Sequence, residues 1–533
     1  MFWSTNNTPP AGQRPPYSEA AQLPELTRDY MAEMYPRHLE LVQAQVFFRH
    51  GERTPVEGRL APGEQWPYCE RANYLHSQFM QAVGRFVPLA EAMPVPTPAK
   101  IGAGDERYTR RTATLKSGVE YEPAQWSVRF QGKPTGDYMD LGNGAWDKRM
   151  CAMGQLTDIG LDTLHREGTF LRSLYIDKLG LLPPGAAAAR EHLYVRTTDY
   201  SRVIQSTYSL LTGLYPQDKG GSGGGFGADF LAAFPMHTRA HAAETLHGNF
   251  GCYTFLRPFL DIRTKDARAG RKVIDDAYRQ TIQVPSIGAT AKEMMDRTSF
   301  ASSLHPVFDE LMSMTAHGKS LPEGVSREHL DLLGQAASYQ WTHPLHSIEG
   351  MRLGFGRLLN DIVQNMAQAV SGDAALGAQR TGDKLLAPGG LREPTEVPNV
   401  PKLALFGCHD ITVAPLAIAM GSPGINWLPF ASMLTLELFR DPSVKGLPGA
   451  QDMPKTVDPA LDTSGYFVRV RLDDTVLKLP SCKPQGKHHP KMGSDMCSLS
   501  AFFEHLAPVI PREEDYGAEC GELSSLIRTV NEE

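Results

Sequence analysis

The sequence predicts an α/β fold: a mainly parallel central sheet flanked by helices, with an inserted, mostly helical cap. Three observations predict it. Three separated apolar runs each end abruptly in charged residues and lead towards a helix-like pattern, as buried parallel strands do. A long stretch between the second and third runs carries helical periodicity. At 533 residues the chain exceeds one compact core, so an insertion or a second domain is expected.

Residues 1–36 are rich in Pro, Thr and Asn and read as an irregular arm. The first strand follows and delivers Arg49-His50-Gly51-Glu52-Arg53-Thr54-Pro55 at its carboxyl end. Two guanidiniums beside an imidazole point to a phosphate site, because arginine offers planar permanent donors and histidine can act as a neutral nucleophile. Residues 56–100 read as loop and short helix. Gly154-Gln155-Leu156-Thr157-Asp158-Ile159-Gly160 then opens an amphipathic helix that runs to about 178, carrying Leu161, Leu164, Phe170, Leu171 and Leu174.

The second strand, His192–Val195, ends in Arg196-Thr197-Thr198-Asp199. The helix after it stops near Gly213-Leu214-Tyr215-Pro216. Strand, arginine and helix start together suit an anion. Arg202 is read as a helix-surface charge. Gly220–Gly225 lacks the lysine and hydroxyl of a phosphate loop and is a flexible connector. His237, His241, Glu244 and His247 lack H-E-x-x-H order and read as loop rather than a metal face.

Residues 256–370 form the helical cap, with Met351, Leu353, Phe355, Leu358, Leu359, Ile362, Val363 and Met366 on one stripe, and 370–399 read as a long surface loop. The third strand, Lys402–Cys408, ends in His409-Asp410 before an apolar helix. Met433–Phe439 and Tyr466–Leu472 are further strands. The organisation expected is an arm over 1–36, a core from 37–216 and 400–533, and a cap over 217–399. Arg49/His50, Arg196 and His409/Asp410 then share the carboxyl edge of one sheet, where open α/β sheets bind ligands. Cys408 beside His409 reads as a small buried apolar residue rather than a nucleophile.

Composition narrows the partners. A formal charge of −7 gives no broad basic field, so nucleic acid and anionic membranes are not expected to bind by charge. No apolar stretch reaches about 18 residues, so no membrane span is expected. The N-terminus has no basic region followed by an apolar one, and Glu19 and Glu25 make a poor mitochondrial presequence. With seven dispersed cysteines and no C-x-x-C, an intracellular and mostly thiol state is expected, cytoplasmic first and mitochondrial second.

The pattern R-H-G-x-R-x-P resembles the signature of the histidine phosphatase superfamily, in its acid-phosphatase branch; the mutase-like branch lacks the second arginine and the proline, here Arg53 and Pro55. Together with VRTTDYSRVIQSTYSLLTGLYP and HDITVAPLAIAMG, it is similar to the histidine acid phosphatases and, more narrowly, to their lysophosphatidic acid phosphatase type, over most of the core and half the chain. Glu52 stands where many acid phosphatases have alanine, and Thr197 where serine is common.

The resemblance implies a phosphoglycerate-mutase-like core under a helical cap. It implies His50 as phosphate-accepting nucleophile, Asp410 as proton donor, and Arg49, Arg53, Arg196 and His409 as the phosphate cradle. It implies no metal and no cofactor, and a small-molecule phosphate monoester as substrate, a lysophospholipid among the candidates. In secreted relatives a pair such as Cys482 and Cys497 could be bridged. The alternatives are a phytase-like or general acid phosphatase and a non-catalytic phosphoester-binding pseudo-phosphatase. Oligomeric state is left open.

Overall fold

Each of the three motif runs is a strand: β1 Glu40–Arg49, β2 Leu193–Thr197 and β3 Leu403–Cys408. The computed structural model describes residues 23–76, 149–216, 236–261, 268–296, 304–372, 400–422 and 427–521, except 59, 61, 62, 240–243, 446 and 451, together with a hairpin of 113–114 and 120–121. Most of the expected N-terminal arm, the Gly220–Gly225 connector, His241 and the 373–399 loop lie outside the described residues.

The strands β1, β2 and β3 are mutually parallel in the order β2-β3-β1, with Arg49 paired to Cys408 and Arg196 to Phe406. Their carboxyl ends therefore share one edge. The sheet continues antiparallel through β4 Met433–Arg440 and β5 Tyr466–Leu472. Short β6 Thr475–Leu477 pairs with β5, while β7 His488–His489 and β8 Gly493–Ser498 finish the far end.

Period-two alternation decides which layer each strand residue joins. Ala44, Val46 and Phe48 of β1 face one core with Leu403 and Leu405, while Phe47, Phe406 and Cys408 face the other. Gln43 and Gln45 fall on the Phe47 side and are fully buried. Their amides donate to the carbonyls of Pro401 (2.9 Å) and Ile362 (3.1 Å), which satisfies them.

Among the helices are α1 Arg28–Met34, α2 Asp158–Leu171, α3 Ser201–Leu214, α4 Tyr253–Asp261, α5 Arg268–Thr281, α6 Gly288–Asp296, α7 His305–Ala316, α8 Arg327–Thr342, α9 Ile348–Ser371 and α10 Asp410–Ala419. Helices α2 and α3 cover the Phe48 face. Helix α2 starts at Thr157, whose Oγ1 accepts from the Gly160 amide, and runs on as a π-helix to Lys178, so the expected end near 178 holds. Helices α5, α7 and α8 gather round a separate apolar centre of Ile274, Phe308, Leu311, Leu333 and Trp427. Helix α9, expected in the cap, packs Phe355, Leu359, Ile362 and Met366 against Phe47 and Phe406 beneath the sheet. Its apolar stripe has the same pattern whichever partner it meets, which is why periodicity alone could not place it.

The expected thiol state is corrected. Cys69–Cys151, Cys252–Cys520 and Cys482–Cys497 are disulfides, and buried Cys408 is free. Sequence separations of 82 and 268 residues hide the first two pairs from any reading of spacing. Among the described residues no helix is long and apolar enough to cross a membrane.

Candidate active site

The first motif leaves β1 and is held on two sides. The Arg49 amide donates to Ser432 O (2.9 Å), the His50 amide to Cys408 O (3.0 Å) and the Ala431 amide to His50 O (3.1 Å). Ala431 adopts a left-handed backbone at φ 64°, a conformation costing a non-glycine residue about 1–2 kcal/mol. On the other side the backbone of Gly51-Glu52 meets the start of α2. A Cβ on Gly51 would stand 2.5 Å from Gly160 O, and one on Gly160 would stand 2.4 Å from Glu52 O, so both glycines are needed for the contact.

His50 is 1% exposed. Burial, and after it the charges of Arg202, Arg49 and Arg53, hold its imidazole well below the usual histidine range. The ring is therefore neutral near neutrality. Nδ1 lies 2.9 Å from Gly51 O, which only accepts, so Nδ1 carries the proton and Nε2 keeps its lone pair. The His409 ring sits 5.6 Å away, edge to face, and burial followed by Arg202 keeps it neutral as well. His409 Nε2 is 3.0 Å from Thr198 Oγ1.

Arg49 is fully buried. Its Nη1 donates to Leu428 O (2.5 Å), its Nη2 is 2.7 Å from Asp410 Oδ2, and its guanidinium stacks 4.2 Å from the Phe430 ring. Burial lowers it to about 10. Asp410 is the first residue of α10, and its Oδ1 accepts from the Ile411 amide at 2.7 Å. Arg53 lies 5.7 Å from the same Phe430 ring and is held bidentately by Asp309 of α7, at 3.1 and 2.7 Å. Phe430 is thus a shared platform, with His50 at 5.9 Å on its flank.

Arg196 is placed differently from the expectation. It is 1% exposed and committed to an ion-pair network: Nη2 bonds Glu244 and Thr245 Oγ1, and Nη1 is 3.3 Å from Asp361. Burial works against its charge, but Glu244, Tyr194 and Asp361 together more than offset this. Arg202, read as a surface charge, is the correction. Helix α3 begins at Ser201, after a turn of Thr198–Tyr200, so Arg202 falls in the first helical turn above the sheet edge. It stacks 4.8 Å from Tyr200 and is the strongest charge felt at both His50 and His409. A helix start judged from the turn residues Thr-Thr-Asp would have found it.

The Nε atoms of Arg49, Arg53 and Arg202 are all buried and have no acceptor among the described residues. Natural proteins rarely leave buried donors so. Glu52 turns away from the cluster; its Oε1 accepts from Thr163 Oγ1 at 3.2 Å. Cys408 donates weakly to Phe48 O, and burial pushes its thiol up, which suits a packing role. Among the described residues one group, His38, Asp441 and His489, has metal-like proximity. Two backbone amides, Lys491 and Met492, already occupy His489 Nδ1, which places the proton on Nε2 facing Asp441 at 3.1 Å. Neither ring nitrogen of His489 then offers a lone pair.

The chain is similar to known phosphatases. The family model described as histidine phosphatase superfamily (branch 2) matches residues 40–229. A Schizosaccharomyces pombe protein named probable acid phosphatase is 25% identical, covering 90% of this chain and 94% of its own. Counting factor 60 of Dictyostelium discoideum is 24% identical over 92% and 90%, and human lysophosphatidic acid phosphatase type 6 is 26% identical over 71% and 72%. Among solved structures, a Bifidobacterium longum multiple inositol polyphosphate phosphatase overlays with a TM-score of 0.47 at 12% identity, covering 93% of this chain and 98% of that one. Residues 40–229 are thus similar to the histidine phosphatase superfamily, branch 2, and the chain as a whole resembles proteins named acid phosphatases.

Proposed function

We propose that this chain hydrolyses phosphate monoesters by double displacement through a phosphohistidine at His50. The observation that carries the reading is the set of three buried guanidinium Nε donors without acceptors, on Arg49, Arg53 and Arg202, around a neutral imidazole with a free Nε2 lone pair. A phosphate monoester carries about −1.5 to −2 charge near neutrality, so it satisfies those donors and is attacked more readily by a neutral than an anionic nucleophile.

In the first step His50 Nε2 forms a bond to phosphorus as the ester P–O bond breaks, and the leaving oxygen takes a proton from Asp410. Ester phosphate draws Arg49 to itself and so releases Asp410 from its 2.7 Å ion pair. Water then attacks phosphorus, its proton returns to Asp410, and inorganic phosphate leaves with His50 neutral again. His409 Nε2 exchanges Thr198 Oγ1 for a phosphate oxygen and donates to it. Arg196 supports the cradle from behind through its ion pairs with Glu244 and Asp361.

For the leaving group we favour a lysophosphatidic acid or a similar lipid phosphate. Relatives named lysophosphatidic acid phosphatase type 6 support this. So does the aromatic surround of His305, whose ring lies 4.9 Å from Trp427 and 5.7 Å from Trp341. Three disulfides support an oxidising compartment in place of the cytoplasm the sequence suggested.

The test is rapid alkaline quenching during turnover of an aryl phosphate, followed by peptide mass analysis. Phosphate on the His50 peptide is expected, and His50→Ala loses the adduct and at least about 10³-fold in kcat. Turnover by His50→Ala at a comparable rate overturns the reading.

A further inference from the structure

The acid that orients Arg53 comes from outside the motif and outside its sheet. Asp309 lies in the middle of α7, a helix of the inserted region, and is 2% exposed. Three donors fix its carboxylate: Arg53 Nη1 at 3.1 Å and the Val56 amide at 2.8 Å both reach Oδ2, and Arg53 Nη2 reaches Oδ1 at 2.7 Å. A carboxylate so held cannot rotate. The fork-to-fork pairing fixes the guanidinium plane in turn, with Nη1 also donating to Thr54 O at 2.9 Å. Neighbouring Glu310 accepts from the Leu60 amide at 2.9 Å, so one turn of α7 holds the motif loop from Arg53 to Leu60. What remains on Arg53 is the second hydrogen of Nη2 and Nε, the latter buried and without an acceptor among the described residues.

Arg53 shares the Phe430 platform with Arg49 and His50, so the edge that Asp309 leaves open adjoins the nucleophile. We infer that Asp309 is a positioning residue: through Arg53 it sets the direction of a donor edge towards the phosphate, so the inserted helical region builds part of the cradle rather than only covering it. This rests on the proposed phosphatase reading. The orientation matters most in the transition state, when charge spreads over the equatorial oxygens of the transferring phosphoryl group. An error of about 1 Å in such positioning can cost on the order of 10²-fold in rate.

The test is a double-mutant cycle on p-nitrophenyl phosphate turnover with Asp309→Asn, Arg53→Lys and the double variant, with kcat and KM measured separately and unfolding midpoints recorded. Asp309→Asn is expected to lower kcat by about 10- to 100-fold while KM moves by less than about 3-fold, since Arg53 keeps its charge. The double variant is expected to fall no more than about 3-fold below Arg53→Lys alone, because Asp309 acts through Arg53. Losses that multiply, or a lowered midpoint with unchanged kcat, overturn the inference and leave Asp309 a structural staple. Should Asp309→Asn fail to fold, Asp309→Glu keeps the charge but displaces it by one methylene; it is expected to lose about 10-fold in kcat with a near-native midpoint, and an unchanged kcat overturns the inference. His50→Ala run alongside separates the two levels. If it remains active the phosphatase reading fails, whereas an inactive His50→Ala with a multiplicative cycle removes only the role of Asp309.

Discussion

The same sheet buries two clusters of arginines and acids, and they are finished in opposite ways. On the antiparallel side, Glu437 of β4 receives Arg469 Nε and Nη2 at 3.0 and 2.8 Å, Tyr35 and Tyr175 hydroxyls at 2.6 and 2.9 Å, and Arg471 at 3.4 Å. Arg469 Nη1 closes onto Met34 O, and within the cluster only Arg471 Nε lacks an acceptor. On the parallel side, Arg49, Arg53, Arg196 and Arg202 each keep a buried Nε with no acceptor among the described residues. In the proposed function, identical residue types serve architecture where most of their donors are used up and phosphate binding where an open edge faces His50. Burial and charge alone do not tell the two apart.

The largest expected effect breaks the architectural side. Glu437→Gln removes one partner of a buried charge cluster and should cost about 3–5 kcal/mol in denaturant unfolding, with kcat of the folded fraction within about 3-fold of the parent. A comparable loss from the active-site cluster would blur the contrast. Next, inorganic phosphate at about 100 times its Kd should stabilise the parent by about 2.7 kcal/mol, read as a shift in the unfolding midpoint. Arg202→Ala should weaken phosphate binding by about 1.5–3 kcal/mol, while Glu437→Gln should leave the phosphate-induced shift intact.

Acid sharpens the same comparison by a smaller amount per pH unit. His50 and His409 are held well below their unfolded range by burial, so their contribution is complete above about pH 6.5 and is lost as pH falls below it, at about 1.4 kcal/mol per unit for each ring. Glu437 is opposed by burial but held down to about 2 by Arg471 and Arg469. Its contribution is complete above about pH 4.3 and is lost between there and about 2. Two acid steps are therefore expected in stability against pH, and His50→Ala should diminish only the upper one.

The three strands and their common edge were legible because each run ends in charge that a buried strand cannot hold inside, and because alternation already separates Phe47 from Phe48. Arg49, His50, His409 and Asp410 followed from that edge directly. Arg202 was missed because a charge near a helix start reads as solvent-facing, and only the fold places that start, at Ser201, above the sheet edge. Asp309 and Phe430 carry no local signal at all. One is an acid in the middle of an amphipathic helix and the other an aromatic before a strand, and only the long-range fold brings them to Arg53. The long-range disulfides Cys69–Cys151 and Cys252–Cys520 escaped for the same reason.

Those cross-links bear on how the chain would survive cutting. Cys69–Cys151 bridges the long stretch between the first motif and α2, and Cys252–Cys520 spans the inserted helices, the third motif strand and most of the C-terminal region. A single break between 69 and 151, or between 252 and 520, leaves both pieces tied by a covalent bond. Processed at such a point, the protein would keep His50 and Asp410 in one particle. It would run as a single band without reductant and as two bands with it.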